Sequence, residues 1–155
     1  MHPAEKPFHH VYEAAVEWPG QGPAVTTAGP RPAIVTGPPP EFGGEAEWWS
    51  PEHLLVSAAA NCLMATFGAM ARAKGLRLYG YRGEARAVLE KTPGGLAFTS
   101  IALSVALRTE ASDAERAREL LLKAKQRCIV ANVLVLPVQL DVTLEPVAAL
   151  EAVGA

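Results

Sequence analysis

The sequence predicts an α+β fold, runs of strands separated by two helices, in one domain over residues 1–155. Three observations carry that prediction. The N-terminal third and the C-terminal end alternate apolar and polar residues, as half-buried strands do. An uncharged stretch from Leu54 to Ala71 has the character of a helix at the centre of a protein. Between it and a second helical pattern, Thr92-Pro93-Gly94-Gly95 marks the turn of a hairpin. The order of elements is therefore βββ-α-ββ-α-β.

His10, Tyr12, Ala14, Val16 and Trp18 fall on one face of an extended segment that Pro19-Gly20 ends. Short strands follow around Ala24–Thr27 and Ala33–Thr36. From Gly37 to Ser50 the prolines and glycines rule out regular structure. Ser50 is a natural N-cap, with Pro51 at the first helical position, where its missing N–H costs nothing. This first helix runs to about Lys74, and Gly75 stops it. Leu54, Ala58, Cys62, Ala65, Ala69 and Ala73 form one stripe of it. Leu55, Ala59, Leu63, Phe67 and Met70 lie beside them.

In the hairpin Tyr81, Gly83, Ala85, Ala87 and Leu89 share a face of the first strand. Ile101, Leu103, Val105 and Leu107 share a face of the second. Ser112-Asp113-Ala114-Glu115 reads as a capping box for the second helix. Its stripe is Ala114, Ala117, Leu121, Ala124 and Cys128. After Pro137 the alternation of Val138, Leu140, Val142 and Leu144 with polar residues gives a last strand. These parts do not close one monomeric core, which suggests that a second copy supplies some of it.

A net charge of −2 gives no electrostatic reason for nucleic acid or an anionic membrane as partner. Residues 54–71 reach the lower length limit of a membrane span. They are rich in Ala and Gly and interrupted by Ser57, Asn61 and Thr66, which suits a soluble core helix better. Met1 to His10 lacks the pattern of a signal peptide. A cytoplasmic protein is expected, in which a disulfide is transient and catalytic rather than structural.

Cys62 and Cys128 are the only cysteines. Spacing alone leaves two readings open: small core residues, or thiols on facing helices that could form a disulfide. His2, His9, His10 and His53 lack metal-ligand spacing, and no metal or cofactor is expected. Trp48 and Trp49 either wall an apolar pocket or pack the junction of loop and helix.

One family resembles this pattern. Pro51-Glu52-His53-Leu54 running through small residues to Asn61-Cys62-Leu63 is similar to the OsmC/Ohr signature around its first cysteine. Gly43-Gly44 before it and Ala71-Arg72-Ala73-Lys74-Gly75-Leu76 after it also match. Lys125-Gln126-Arg127-Cys128 through Asn132 to Leu134 resembles the family's second segment, including the asparagine four residues after the cysteine. Ile129-Val130-Ala131 departs from the proline and serine that the hydroperoxide reductases favour there, and points to the broader OsmC-like set.

The resemblance implies an OsmC-like fold, with antiparallel sheets packed around two helices in an intertwined homodimer. It implies a peroxidase acting on organic hydroperoxides, with a dithiol reductant such as a dihydrolipoyl protein. Cys62 would attack the peroxide, Cys128 would resolve the sulfenic acid, and Glu52 would hold an arginine that favours the thiolate. Ten helical residues span about 15 Å, too far for Glu52 to touch Cys62 along a straight helix. Arg31, the only arginine before the helix, is the candidate for the bridge. Ala58, Leu63, Phe67 and Trp48 or Trp49 would line an apolar substrate site. The alternative is a non-catalytic dimer of the same fold that binds a small apolar ligand.

Overall fold

The computed structural model describes residues 8–147. Contacts divide the chain at His53 and Leu54 into two compact units.

In the N-terminal unit β1 (Ala15–Glu17), β2 (Ala24–Thr27) and β3 (Ile34–Thr36) form an antiparallel sheet in chain order. The first strand is shorter than the alternation predicts. β2 offers partners only from Val25 to Thr27, so residues before Ala15 have no ladder to join. Tyr12 is accordingly 88% exposed. The segment 37–50 is irregular apart from a 3-10 turn at Pro40–Phe42. Gly44 is obligatory there, because a Cβ would lie 1.7 Å from the Pro38 carbonyl oxygen. Trp49 then returns to the sheet: its N–H donates to Val35 O at 3.1 Å, and its carbonyl accepts from Gly37 N–H at 3.1 Å.

α1 spans Pro51–Ala73, as its terminal residues dictate. Ser50 Oγ accepts the His53 N–H at 3.2 Å and lies 2.8 Å from His53 Nδ1. At the other end Gly75 adopts φ +62°. Its N–H reaches Arg72 O at 3.1 Å, and the Leu76 N–H reaches Ala71 O at 2.9 Å. Those two bonds are the Schellman arrangement, which satisfies carbonyls the helix leaves over. Arg116 adds a bond to the carbonyl of Lys74.

In the C-terminal unit β4 (Leu78–Thr92) and β5 (Gly95–Glu110) form the long hairpin about Pro93-Gly94. β6 (Val138–Val147) pairs with the other edge of β5 in parallel, so this sheet is mixed in direction. A parallel partner needs a long crossover, and α2 (Ala114–Gln126) with the short α3 (Ile129–Val133) provides it. α2 does not start on a capping box: a 3-10 turn at Ala111–Asp113 leads in, and no side chain caps it. Asp113 instead faces Arg116 at 3.5 Å.

Ile101, Leu103, Val105 and Leu107 of β5 are buried with Ala117, Leu121 and Ala124 of α2, as their periodicity requires. α1 enters the same core by the second of its stripes, through Ala59, Leu63, Phe67 and Ala71. Leu63 and Phe67 are therefore core residues. Burial of each contributes roughly 1.5–3 kcal/mol. The first stripe, with Ala58, Ala65, Ala69 and Ala73, is exposed. By length and composition α1 could cross a membrane, although 22% of its most apolar window is buried within this one chain.

Candidate functional site

Cys62 lies at the flank of the buried face of α1 and is half-buried; Cys128 is fully buried. Cys128 is not on the second helix. α2 ends at Gln126, and Cys128 occupies the link before α3 with extended dihedrals, φ −69° and ψ 107°. This departure from the predicted stripe matters chemically. It turns the Val130 N–H toward Cys62 Sγ, 3.5 Å away. The two thiols also act on each other's ionisation, Cys128 lowering that of Cys62 and Cys62 raising that of Cys128.

These contacts separate the two sulfurs. Burial acts most strongly on Cys62 and pushes its thiol up. The Val130 N–H, the Cys128 thiol, the Thr66 side chain and the Ile129 N–H together outweigh burial, and hold it below the ordinary 9.0. At Cys128 burial again dominates, and the neighbouring Cys62 adds to it, so that thiol lies above its ordinary value. Hydrogen bonds to a thiolate favour the charged form. The two sulfurs thus differ in acidity, and Cys62 is the more readily ionised.

Tyr81 stands in the same core. Its ring lies 5.9 Å from that of Phe67, and its hydroxyl is buried without a hydrogen-bond partner. Burial, and then negative charge at Cys128, push it up to about 12. A Cβ at Gly83 would meet this ring at 3.0 Å, so the glycine leaves the ring its place.

In the N-terminal unit Glu52 is half-buried in the first turn of α1, and its Oε2 is enclosed without a hydrogen-bond partner. It borders a cavity of about 600 Å³ lined by Val16, Trp18, Phe42 and Trp48. Trp18 is fixed by a bond from its indole N–H to Gly22 O at 3.0 Å. Of the two adjacent tryptophans, Trp48 lines the cavity, and Trp49 serves through its backbone as a sheet bridge. Arg31 is exposed in a turn and donates to Ala28 O at 3.1 Å.

The structure thus brings Cys62 and Cys128 together, places Glu52 at an aromatic cavity, and bonds Arg31 to its own turn. The Val130 amide was not legible beforehand, because backbone donors leave no mark in composition. Thr66 had a signal, being one helical turn beyond Cys62. Tyr81 had none beyond its place on the inward face of β4. No group of three or more His, Cys, Asp or Glu among the described residues could hold a metal ion.

A mixed α+β chain with one cysteine on its central helix and a second beside it defines a small dithiol protein. The family model described as OsmC-like protein matches residues 44–143, and the chain belongs to the OsmC/Ohr family. It is 31% identical over 129 residues to the uncharacterized protein YmaD of Bacillus subtilis, covering 80% of this chain and 85% of that one. Its fold is similar to an OsmC-like protein of unknown function from Vibrio cholerae, with a TM-score of 0.77 and 16% identity over 86% of this chain and 99% of that one. An organic hydroperoxide resistance protein from Elizabethkingia anophelis has a TM-score of 0.71 and 15% identity, over 92% and 100% of the two chains.

Proposed function

We propose that the protein is a thiol peroxidase for organic hydroperoxides. The observation that carries this is the pairing of a thiol held below its ordinary value with a buried partner thiol in reach. The Cys62 thiolate attacks the terminal oxygen of ROOH, forming an S–O bond while the O–O bond breaks. The leaving alkoxide takes a proton and departs as alcohol. The Cys128 thiol then attacks the Cys62 sulfenic acid, giving the Cys62–Cys128 disulfide and water. A dithiol donor, for which a dihydrolipoyl group has the right chemistry, restores both thiols by exchange. A reducing, cytoplasmic setting suits that cycle. Glu52 is assigned the holding of an arginine, and Arg31 is the one the N-terminal unit itself offers.

We also propose that the working form is a homodimer. The exposed small-residue stripe of α1 would let a second copy approach closely, burying more than ~2,000 Å². Light scattering at micromolar concentration should give twice the chain mass; a monomer refutes this.

The decisive test counts thiols before and after one equivalent of cumene hydroperoxide. Two should be lost per chain in the wild type and none in Cys62→Ser. Cys128→Ser should lose one and yield a sulfenic acid trapped by dimedone. A second reading has the aromatic cavity in its favour: a protein that holds a small apolar ligand there. Unchanged thiols in the wild type would sink the peroxidase and leave that reading.

A further inference from the structure

Asn132 is the one polar side chain in the run Ile129-Val130-Ala131-Asn132-Val133-Leu134-Val135-Leu136-Pro137. Apolar packing gives no reason for an amide there, yet its hydrogen bonds close both ends of the preceding turn. Its backbone N–H donates to the Cys128 carbonyl at 3.0 Å. Its Nδ2 donates to the Gln126 carbonyl, also at 3.0 Å. Gln126 is the last residue of α2, so its carbonyl is one of those a helix end leaves without an internal partner.

Cys128, Ile129 and Val130 lie inside this double closure, and the Val130 N–H meets Cys62 Sγ at 3.5 Å. Ile129 and Val133 are 75% and 78% exposed, while Cys128, Val130 and Ala131 pack on the core, so the Asn132 amide adds a polar tie to an apolar anchor. From this geometry we infer that Asn132 is a positioning residue for the reactive thiol. Its side-chain amide ties the turn to the end of α2 and thereby keeps the Val130 amide on the Cys62 sulfur. Hydrogen bonds weaken steeply with misalignment, and a donor at this distance has little slack. The donor to Cys62 is then main chain, and the Asn132 amide helps to set its aim.

The inference rests on Cys62 being the attacking thiol, but it concerns the thiolate and not the peroxide. The test is therefore alkylation of Cys62 by iodoacetamide, followed across pH and resolved by site with mass spectrometry. Asn132→Asp keeps the shape and removes the donor; Asn132→Ala removes the donor without adding charge. In both, the rate at pH 7 should fall about threefold to tenfold, the change that loss of an ordinary hydrogen bond produces. The rate at fully ionising pH should match the wild type, so the midpoint alone moves up. Asn132→Gln, which retains an amide donor, should recover part of the loss. An unmoved midpoint in folded Asp and Ala variants overturns the proposal. So does an equal loss at every pH, which would mean altered access. A shifted midpoint in a protein that consumes no hydroperoxide leaves the clamp standing and removes the peroxidase. An unmoved midpoint in an active peroxidase removes the clamp alone.

Discussion

Two acidic groups on α1 meet opposite surroundings. The Cys62 sulfur receives the Val130 amide, whereas Glu52 Oε2 is enclosed with no donor at all. The sulfur is served by groups close in the fold and remote in sequence. The carboxylate lies in a cavity whose named walls are mostly apolar and aromatic. A buried acceptor without a donor costs about 1–3 kcal/mol, so the two regions differ in what substitution should do. Changes at satisfied groups should cost function or stability; changes at orphaned ones should relieve the fold.

Cys62→Ser is the strongest challenge on the satisfied side. It should abolish hydroperoxide consumption in a coupled assay with a dithiol donor, and retained turnover would show that the sulfur's surroundings serve another purpose. Ser50→Ala comes next. It removes a fully buried hydroxyl that accepts the His53 N–H, and should lower stability in urea by about 1–2 kcal/mol. A smaller loss than 0.5 kcal/mol, the low end for caps, would mean that the bond contributes little.

On the orphaned side, Tyr81→Phe should raise stability by about 1 kcal/mol at neutral pH, because the hydroxyl it deletes has no partner. The pH dependence checks the same group. Its folded value of about 12 lies above the ordinary 10.0, so the unfolded chain loses this proton first. Ionisation therefore costs the fold nothing below pH 10 and destabilises it increasingly as pH rises from 10 toward 12. Cys128, also raised, has the same sign beginning near its ordinary 9.0. Tyr81→Phe should flatten the part of the decline above pH 10; an unchanged slope would assign it elsewhere. Glu52→Gln should have the smallest effect on the fold, a gain of under about 1 kcal/mol by chemical denaturation. The same variant should slow hydroperoxide reduction if Glu52 holds the arginine. Loss of stability with unchanged rate would reverse the comparison.

Much of this was legible in the sequence because local signals and tertiary demand agree. Ser50-Pro51 and Gly75 bound α1 as caps do, and alternation along β5 selected the buried face from Ile101 to Leu107. The failures lie where bonds from outside an element override its own pattern. Cys128 continues the stripe of α2 on paper, but the helix stops at Gln126 without glycine or proline. What takes up the last carbonyl is Asn132, six residues on. The direction of β6 is likewise silent in its alternation, which is identical for parallel and antiparallel neighbours. β1 was overextended because Tyr12 and His10 continue a pattern for which β2 has no partner residues. Among the candidate site residues, the cysteine pair was readable from the resemblance. The backbone donors around the pair were not.

The central place of β5 sets an order of assembly. Its pairing with β4 closes through Pro93-Gly94, a short loop with little entropy to lose, whereas its pairing with β6 first joins Ile101 to Val138 across all of α2 and α3. The hairpin is thus expected to form before β6 pairs with the other edge of β5. Kinetics should divide accordingly: Val105→Ala in the hairpin should slow refolding, and Val142→Ala in β6 should chiefly hasten unfolding. If Val142→Ala slows refolding instead, closure of the long crossover is the limiting event, and the chain commits to its fold only when the segment bearing Cys128 is in place.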